Sequence, residues 1–315
     1  MPENPFVRCQ IIPESNYEIA FQIDGRERMR WHYGSQYTRP FFYPLIGPSG
    51  TSLTRMGHPG ASNHDHHKSV WFAHNKVLGI DFWGENTPAR IRQTMWYAYE
   101  DGNDECLMGS QLRWYDGHDP AELLEQTLIV SLAPYETDEL LLEVQATFTP
   151  KSQSLEFQQT NFGFFAVRVA KNISHHFGGG QLTSSEGAKG EPNIFEQPAR
   201  WVDYSGPVPV PAPSDKAEKP FEGITYFNSP TNPEHPVHWH VREDGWMGAS
   251  PCMKHPIEIT KQNPLTLRYL LHVHTGDIDP ARAERVATLF EQRPPLEVVR
   301  GGRKHRQYEA RRVGS

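Results

Sequence analysis

The chain has 315 residues, a formal net charge of −7 and a sequence pI near 6.1. That acidic balance disfavours a nucleic-acid binder, and the length suffices for one large domain with a substantial core. Cys9, Cys106 and Cys252 are far apart and show no C-x-x-C spacing, which excludes a disulfide framework and a thiolate zinc site from the expectations. The first residues lack a basic stretch ahead of an apolar run, and no segment approaches the ~18 apolar residues of a membrane span. The expectation is a soluble, cytoplasmic protein.

Strand signals dominate, and Pro and Gly interrupt them too often for long helices. Residues 6–12 and 17–23 read as opening strands, with Asp24-Gly25 as a hairpin-type turn. The proline-bounded run 39–45 suits an edge strand or a loop wall. A histidine-rich segment, His64-Asp65-His66-His67-Lys68, then leads into the apolar strand Val70-Trp71-Phe72-Ala73. Runs 91–99, 106–115, 123–133 and 140–150 form an antiparallel meander separated by Asp/Gly/Asn-bearing turns. In the last of these, Leu140, Leu142, Val144, Ala146 and Phe148 alternate with Glu143, Gln145, Thr147 and Thr149, the pattern of a sheet wet on one side.

Further along, Arg168 shares a strand face with Phe164 and Ala166, so it needs either a structural salt bridge or a ligand oxygen. The proline-spaced stretch 206–222 cannot build a ladder and reads as a loop excursion between adjacent strands. A late strand places Leu265, Leu267, Tyr269, Leu271 and Val273 on one face. One helix follows, capped by Asp279, started by Pro280 and stopped by Pro294-Pro295, with Ala283, Val286, Ala287 and Phe290 as its apolar stripe. The domain reading is a single β-sandwich over 1–295 and a basic tail over 296–315 that frays in solvent.

Three segments could carry chemistry. On an extended backbone His64, His66 and Lys68 face one side, while His67 and Trp71 face the other. Imidazole can move protons near neutral pH or ligate a borderline metal. The second segment offers Glu186 in a glycine-flanked loop, then Arg200, Trp201, Asp203 and Tyr204, a set of donors, a plane and acceptors suited to polyhydroxylated ligands. In the third, His238, His240 and Arg242 line one strand face and Trp239 and Val241 the other. Common nucleophile, zincin and phosphate-loop motifs are missing.

At these segments the sequence resembles a bacterial family of unknown-function proteins that carries the label "methane oxygenase PmoA". The shared pieces run in order: Arg39-Pro40-x-Phe42-Tyr43-Pro44-Leu45, His64-x-His66-His67-Lys68-x-x-Trp71-Phe72-x-His74, Ser185-Glu186-Gly187-x-x-Gly190-Glu191, the run 199–206, and Asn232-Pro233-x-His235-Pro236-x-x-Trp239-His240-Val241-Arg242. Where that family tends to have Arg-Gly after the paired histidines, this chain has Lys68-Ser69. A membrane methane monooxygenase subunit is built of transmembrane helices, which this sequence does not show. The resemblance implies instead a large β-sandwich similar to the galactose-mutarotase-like supersandwich, and sugar chemistry by His with Glu or Asp on a concave sheet face.

The resulting expectation is a carbohydrate-active enzyme, a glycoside hydrolase, lyase or epimerase, acting on a small carbohydrate. His67, Glu186 and His240 are the expected proton-transfer groups; Arg39, Lys68, Trp71, Arg168, Arg200, Trp201, Asp203, Tyr204, Trp239 and Arg242 are expected to hold the sugar. One alternative is a metalloenzyme with zinc, manganese or iron on His64, His66 or His67 together with His74 or His238. Another is a non-catalytic sugar-binding module. No nucleic-acid or membrane partner is expected, and a homodimer is an open option. All three segments should meet in one cleft.

Overall fold

Alternating apolar side chains draw the chain into two large sheets. The computed structural model describes residues 6–58, 60, 64–118, 120–209 and 220–314. The first sheet has nine strands, in the order Cys9–Glu14, Glu18–Ile23, Arg26–His32, Phe41–Leu45, Val70–His74, Gly163–Arg168, Trp246–Ala249, Val237–Arg242 and Pro198–Ala199. The second has eight: Gln181–Ser184, Trp201–Pro207, Phe221–Asn228, Leu265–Thr275, Glu139–Pro150, Glu122–Tyr135, Cys106–Tyr115 and Arg90–Glu100. Every pairing within them is antiparallel. The fold is therefore an all-β antiparallel sandwich, as expected, and Pro280–Gln292 is the one helix longer than a single turn among the described residues. No helix there is long and apolar enough to cross a membrane.

Between the sheets lies an aromatic core. Phe72 and Phe165 of the first sheet meet Phe148, Tyr226 and Tyr269 of the second, with the Phe165 and Tyr269 rings stacked at 5.4 Å and 13°. The alternation in 140–148 points Leu140, Leu142, Val144, Ala146 and Phe148 into this core. The 206–222 excursion does join adjacent strands, with Pro207 opposite Phe221; residues 210–219 lie outside the described set.

Three expectations change. Phe41–Leu45 is an interior strand, not an edge. Pro44 is tolerated there because the ladder is interrupted on both sides: a register shift separates the strand's pairing with Arg26–His32, and Phe42↔Val70 is its one pairing with the next strand.

The polar face of 139–150 is also covered rather than wet. Helix Pro280–Gln292, whose first turn is capped by Asp279 accepting from Ala281 N at 2.9 Å, lays Ala283, Val286, Ala287 and Phe290 over Leu141, Leu270, Phe227 and Trp201. The supposed solvent tail forms an antiparallel hairpin, Leu296–Arg300 with Tyr308–Arg312, that packs Leu296 and Ala310 on Leu107 and Ile129. Gln145 anchors it through its amide, donating to Leu296 O at 2.6 Å and accepting from Leu296 N at 2.9 Å. The basic run itself stays in solvent, with Arg300, Arg303, Lys304 and Arg306 exposed, whereas Arg312 joins Arg268 and Arg293 on the buried Glu143, at 2.9, 2.7 and 3.1 Å.

Removing one side of a buried ion network strands the other side without compensation, at a cost of about 3–5 kcal/mol. Glu143→Gln should lose about that much in urea unfolding. Truncation after Pro295 should lower the melting temperature further, because it also uncovers Leu107 and Ile129.

Candidate functional site

Strand alternation also dictates the outer face of the first sheet. Phe72, Val167, Met247, Trp239 and Val241 point into the sandwich, while Trp71, Ala73, Ala166, Arg168, Trp246, His240 and Arg242 point out. On that outer face Phe41, Trp71, Ala73, Trp83, Ala166 and Trp246 form a separate buried cluster, against which Phe162 packs. The small side chains Ala73 and Ala166 leave room for the indoles. A Cβ on Gly248 would meet the Trp246 ring at 3.3 Å, so this glycine lets the indole lie flat on the sheet.

The histidine-rich segment is a turn rather than an extended strand, and this changes where its side chains point. His67 goes inward and stacks between Trp71 at 5.6 Å and Trp246 at 5.7 Å. His66, 4.3 Å from His67 by ring centroid, faces a hollow of about 350 Å³ that it shares with Asn75, Asp81, Trp83, Gly84, Glu85, Asn86 and Phe162. His240 lies 3.8 Å from Trp246 and 5.0 Å from Phe162, with its Nδ1 bonded to Asn161 O at 3.0 Å.

The wall of the hollow is built by short-range polar contacts. Asp81 Oδ1 accepts from Trp83 N at 2.7 Å and Gly84 N at 3.0 Å, a side-chain turn that presents the indole. Glu85 is held by Arg39 at 3.3 Å and Lys68 at 3.6 Å. Arg39 is buried and also donates to His66 O at 2.7 Å, so it fixes the wall from beneath rather than touching a ligand. Arg168, fully buried, grips Asp244 with both nitrogens at 2.8 and 3.2 Å, which settles it as a structural salt bridge; Asp244 also meets His58 at 3.3 Å.

Among the described residues, His67 Nδ1, His240 Nε2 and the indole nitrogens of Trp71, Trp83 and Trp246 are buried without a hydrogen-bond partner. A buried polar group left unpaired costs about 1–3 kcal/mol, and these five lie together on the outer face of the first sheet. Burial also sets the protonation of the rings. His67 is pushed far below its usual value by burial, then by His66 and Arg168; His240 falls to about 3 by burial, then by Arg242. Both rings are neutral near pH 7, so neither starts as an imidazolium acid. Sugar contact by Trp71 is also closed, since it lies wholly beneath other rings.

The other expected site residues lie elsewhere, so the three segments do not share one cleft. Asp203 is on the outer face of the second sheet, fully buried, accepting from Ser205, Thr225 and His274. Arg200 and Trp201 bind Glu284 of the helix at 2.7 and 3.0 Å. Tyr204 and Trp239 are core residues, their polar atoms spent on backbone oxygens of Glu243 and Ala199. Arg242 pairs with Glu191 at 2.9 Å, and exposed Glu186 lines a different hollow with Asn193 and Gln197. His74 is buried between Phe157 and Phe164; His238, half-buried, sits on the strand that pairs with Pro198–Ala199. One sheet's period-two alternation sends His240 out and Trp239 in, and no spacing in the sequence reveals which sheet Asp203 joins. No three His, Cys, Asp or Glu side chains among the described residues are placed to share a metal ion. The imidazoles pack against one another and on indoles instead of converging, His64 and His67 stacking at 5.3 Å.

Sequence reasoning missed Asp81, Trp83, Glu85, Asn86, Phe162 and Trp246. A signal was present in Asp81-Phe82-Trp83-Gly84-Glu85-Asn86, which packs two carboxylates, two aromatic rings and an amide into six residues.

Fold and site together define a large antiparallel β-sandwich with an aromatic, carboxylate-lined cleft on one outer face. The chain belongs to DUF6807, a family of unknown function, whose model matches residues 18–288. No curated protein matches it. Among solved structures, a human-microbiome protein assigned as a kojibiose phosphorylase is similar at 8% identity and a TM-score of 0.33, over 91% of this chain and 36% of that one. This chain thus spans little more than a third of that protein's length, and at that distance the likeness bears on neither substrate nor chemistry.

Burial of neutral histidines makes stability depend on pH. For His240 and His74, each held at about 3 against an ordinary 6.5, the unfolded chain binds the proton more readily. The stability they allow is complete above about pH 6.5 and is lost as pH falls from there toward 3. The melting temperature should therefore drop across that window, and His240→Phe should flatten the drop. An equally steep profile in the variant would remove His240 from the account.

Proposed function

We propose that this protein is a carbohydrate-active enzyme whose small sugar substrate sits in the hollow between His66, Trp83, Phe162 and the 81–86 loop. The observation that carries the reading is the pairing, in one cleft of about 350 Å³, of aromatic planes with two carboxylates and two amides. The partly exposed ring of Phe162, backed by the largely buried Trp83, offers the apolar C–H face of a sugar a surface. Asp81, Glu85, Asn75 and Asn86 supply acceptors and donors for vicinal hydroxyls. The unpartnered indole and imidazole nitrogens beneath add support, because a fold under selection for stability alone would pair them.

Within this reading Asp81 and Glu85 take the proton-transfer roles, since they line the hollow and His67 and His240 do not. Glu85 is the stronger candidate for a base, its Oε1 lying 3.3 Å from Arg39 and 3.6 Å from Lys68. Arg39 and Lys68 orient it and do not contact substrate.

A panel of mono- and disaccharides tested by thermal shift, followed by product analysis of each hit, examines binding and turnover separately. Trp83→Ala should weaken binding of the active sugar by about tenfold or more. Glu85→Gln should leave binding within a few-fold and cut turnover by about 100-fold, the usual range for a lost acid/base group. A sugar that binds without any product would reduce the protein to a binding module, and a panel without a single hit would sink the proposal.

A further inference from the structure

A second hollow lies at the open edge of the sandwich, where the first hairpin and strand Arg26–His32 approach edge strand Arg90–Glu100 of the other sheet. It measures about 400 Å³, and Tyr17, Tyr33, Ser35, Arg92, Thr94 and Trp96 are among its lining residues. Its aromatic rings form a ladder of edge-on contacts. Tyr17 meets Tyr33 at 5.8 Å, Tyr33 meets Trp96 at 5.2 Å, and Trp96 meets Tyr99 at 6.4 Å. The ends of the ladder are open to solvent, with Tyr17 64% and Tyr99 49% exposed.

The backbone at Tyr17 is a second, independent observation. Asn16 and Tyr17 have φ of 63° and 61°, and Tyr33 N donates to Tyr17 O at 3.0 Å, which holds the turn in place. Asparagine is at home in the left-handed region, but a bulky aromatic residue is not. Glycine would make this turn without strain, so the phenol ring is retained against local preference, as strained residues at ligand sites are.

Charge supplies the third. Arg92 reaches the hollow with Nη1 shared among Tyr37 O at 2.7 Å, Ile91 O at 3.1 Å and Thr38 O at 3.2 Å, and Nη2 bonded to Ser35 O at 3.3 Å, and these partners are backbone carbonyls. The groups acting on it are its own burial and neighbouring Arg90, with no carboxylate among them. The cleft thus joins stacking planes and hydroxyls to a guanidinium whose hydrogen-bond partners among the described residues are backbone carbonyls rather than carboxylates.

We propose that this edge cleft binds a carboxylate-bearing sugar, a uronic-acid unit of an oligosaccharide, with its ring against Tyr17, Tyr33 and Trp96 and its carboxylate facing Arg92. A second copy of the chain is a poorer occupant. Strand Arg90–Glu100 is broken by register shifts at Gln93/Met95 and Trp96/Ala98, and bulged edges resist strand addition. The site is separate from the cleft on the first sheet and stands whether or not that cleft turns over a sugar.

The test titrates the full-length protein with trigalacturonate and with a neutral trisaccharide, read by tryptophan fluorescence and calorimetry. Trigalacturonate should bind more tightly than the neutral sugar, and the difference should shrink in high salt. Trp96→Ala and Tyr17→Gly should each weaken it by about tenfold or more, while Trp83→Ala leaves it unchanged. Tyr17→Gly relieves the left-handed strain, so a loss of binding in that variant does not report unfolding. Absence of trigalacturonate binding overturns the proposal, as does unchanged affinity in Tyr17→Gly. Loss of affinity in Trp83→Ala would place the ligand in the other cleft, and a dimer that Trp96→Ala converts to monomer would give the surface to a second copy; either result also overturns it.

Discussion

A guanidinium with no solvent must find an anion, and the outer layer of the first sheet is arranged around that requirement at Arg168. Its partner, Asp244, lies in the turn that follows strand Val237–Arg242, so the pair ties that turn to strand Gly163–Arg168. Gly245 makes the turn possible: its φ is 104°, and a Cβ there would sit 3.0 Å from both Ser174 and Val169. Around the pair Arg55 donates to Asp244 O at 2.7 Å and His58 reaches the carboxylate. The histidine segment that carries His66 to the cleft and His67 to the indoles is thereby packed on a fixed charge.

The two outer faces of the sandwich have opposite fates. On the second sheet, ionisable residues are matched and covered: Glu139 with His272 and Arg282, Asp203 with His274, Glu143 with its arginines. On the first sheet, polar atoms of Trp71, Trp83, Trp246, His67 and His240 stay unmatched beside a cleft. Unmatched buried atoms occur on strands of the second sheet as well, Thr183 Oγ1 and Gln126 Nε2 among them, but those of the first sheet gather on the face where the proposed cleft lies.

Much of the fold was legible because β periodicity is local. The alternation from Leu140 to Phe148, the meander before it and the Asp279-Pro280 start of the helix all follow from neighbouring residues. What covers a sheet face is not local. Glu143 and Gln145 read as solvent-facing because their partners, Arg268, Arg293, Leu296 and Arg312, are remote in sequence. The site divided in the same way. The His66-His67 pair and His240 were visible as clustered imidazoles, and they do lie on one face. Asp203 and Trp201 carried equally suitable chemistry but belong to the other sheet, and their partners His274 and Glu284 were needed to show it.

The hairpin that seals the second sheet has a bearing on synthesis. Arg312 and Glu143 are 169 residues apart, so the carboxylate is translated long before its counter-ions emerge. Until then the Glu143 carboxylate lacks the arginines that match it in the folded chain. Glu143 faces outward from the sandwich, so its network fastens the C-terminal cover onto the second sheet, and that cover can be completed only after Arg312 has been added to the chain.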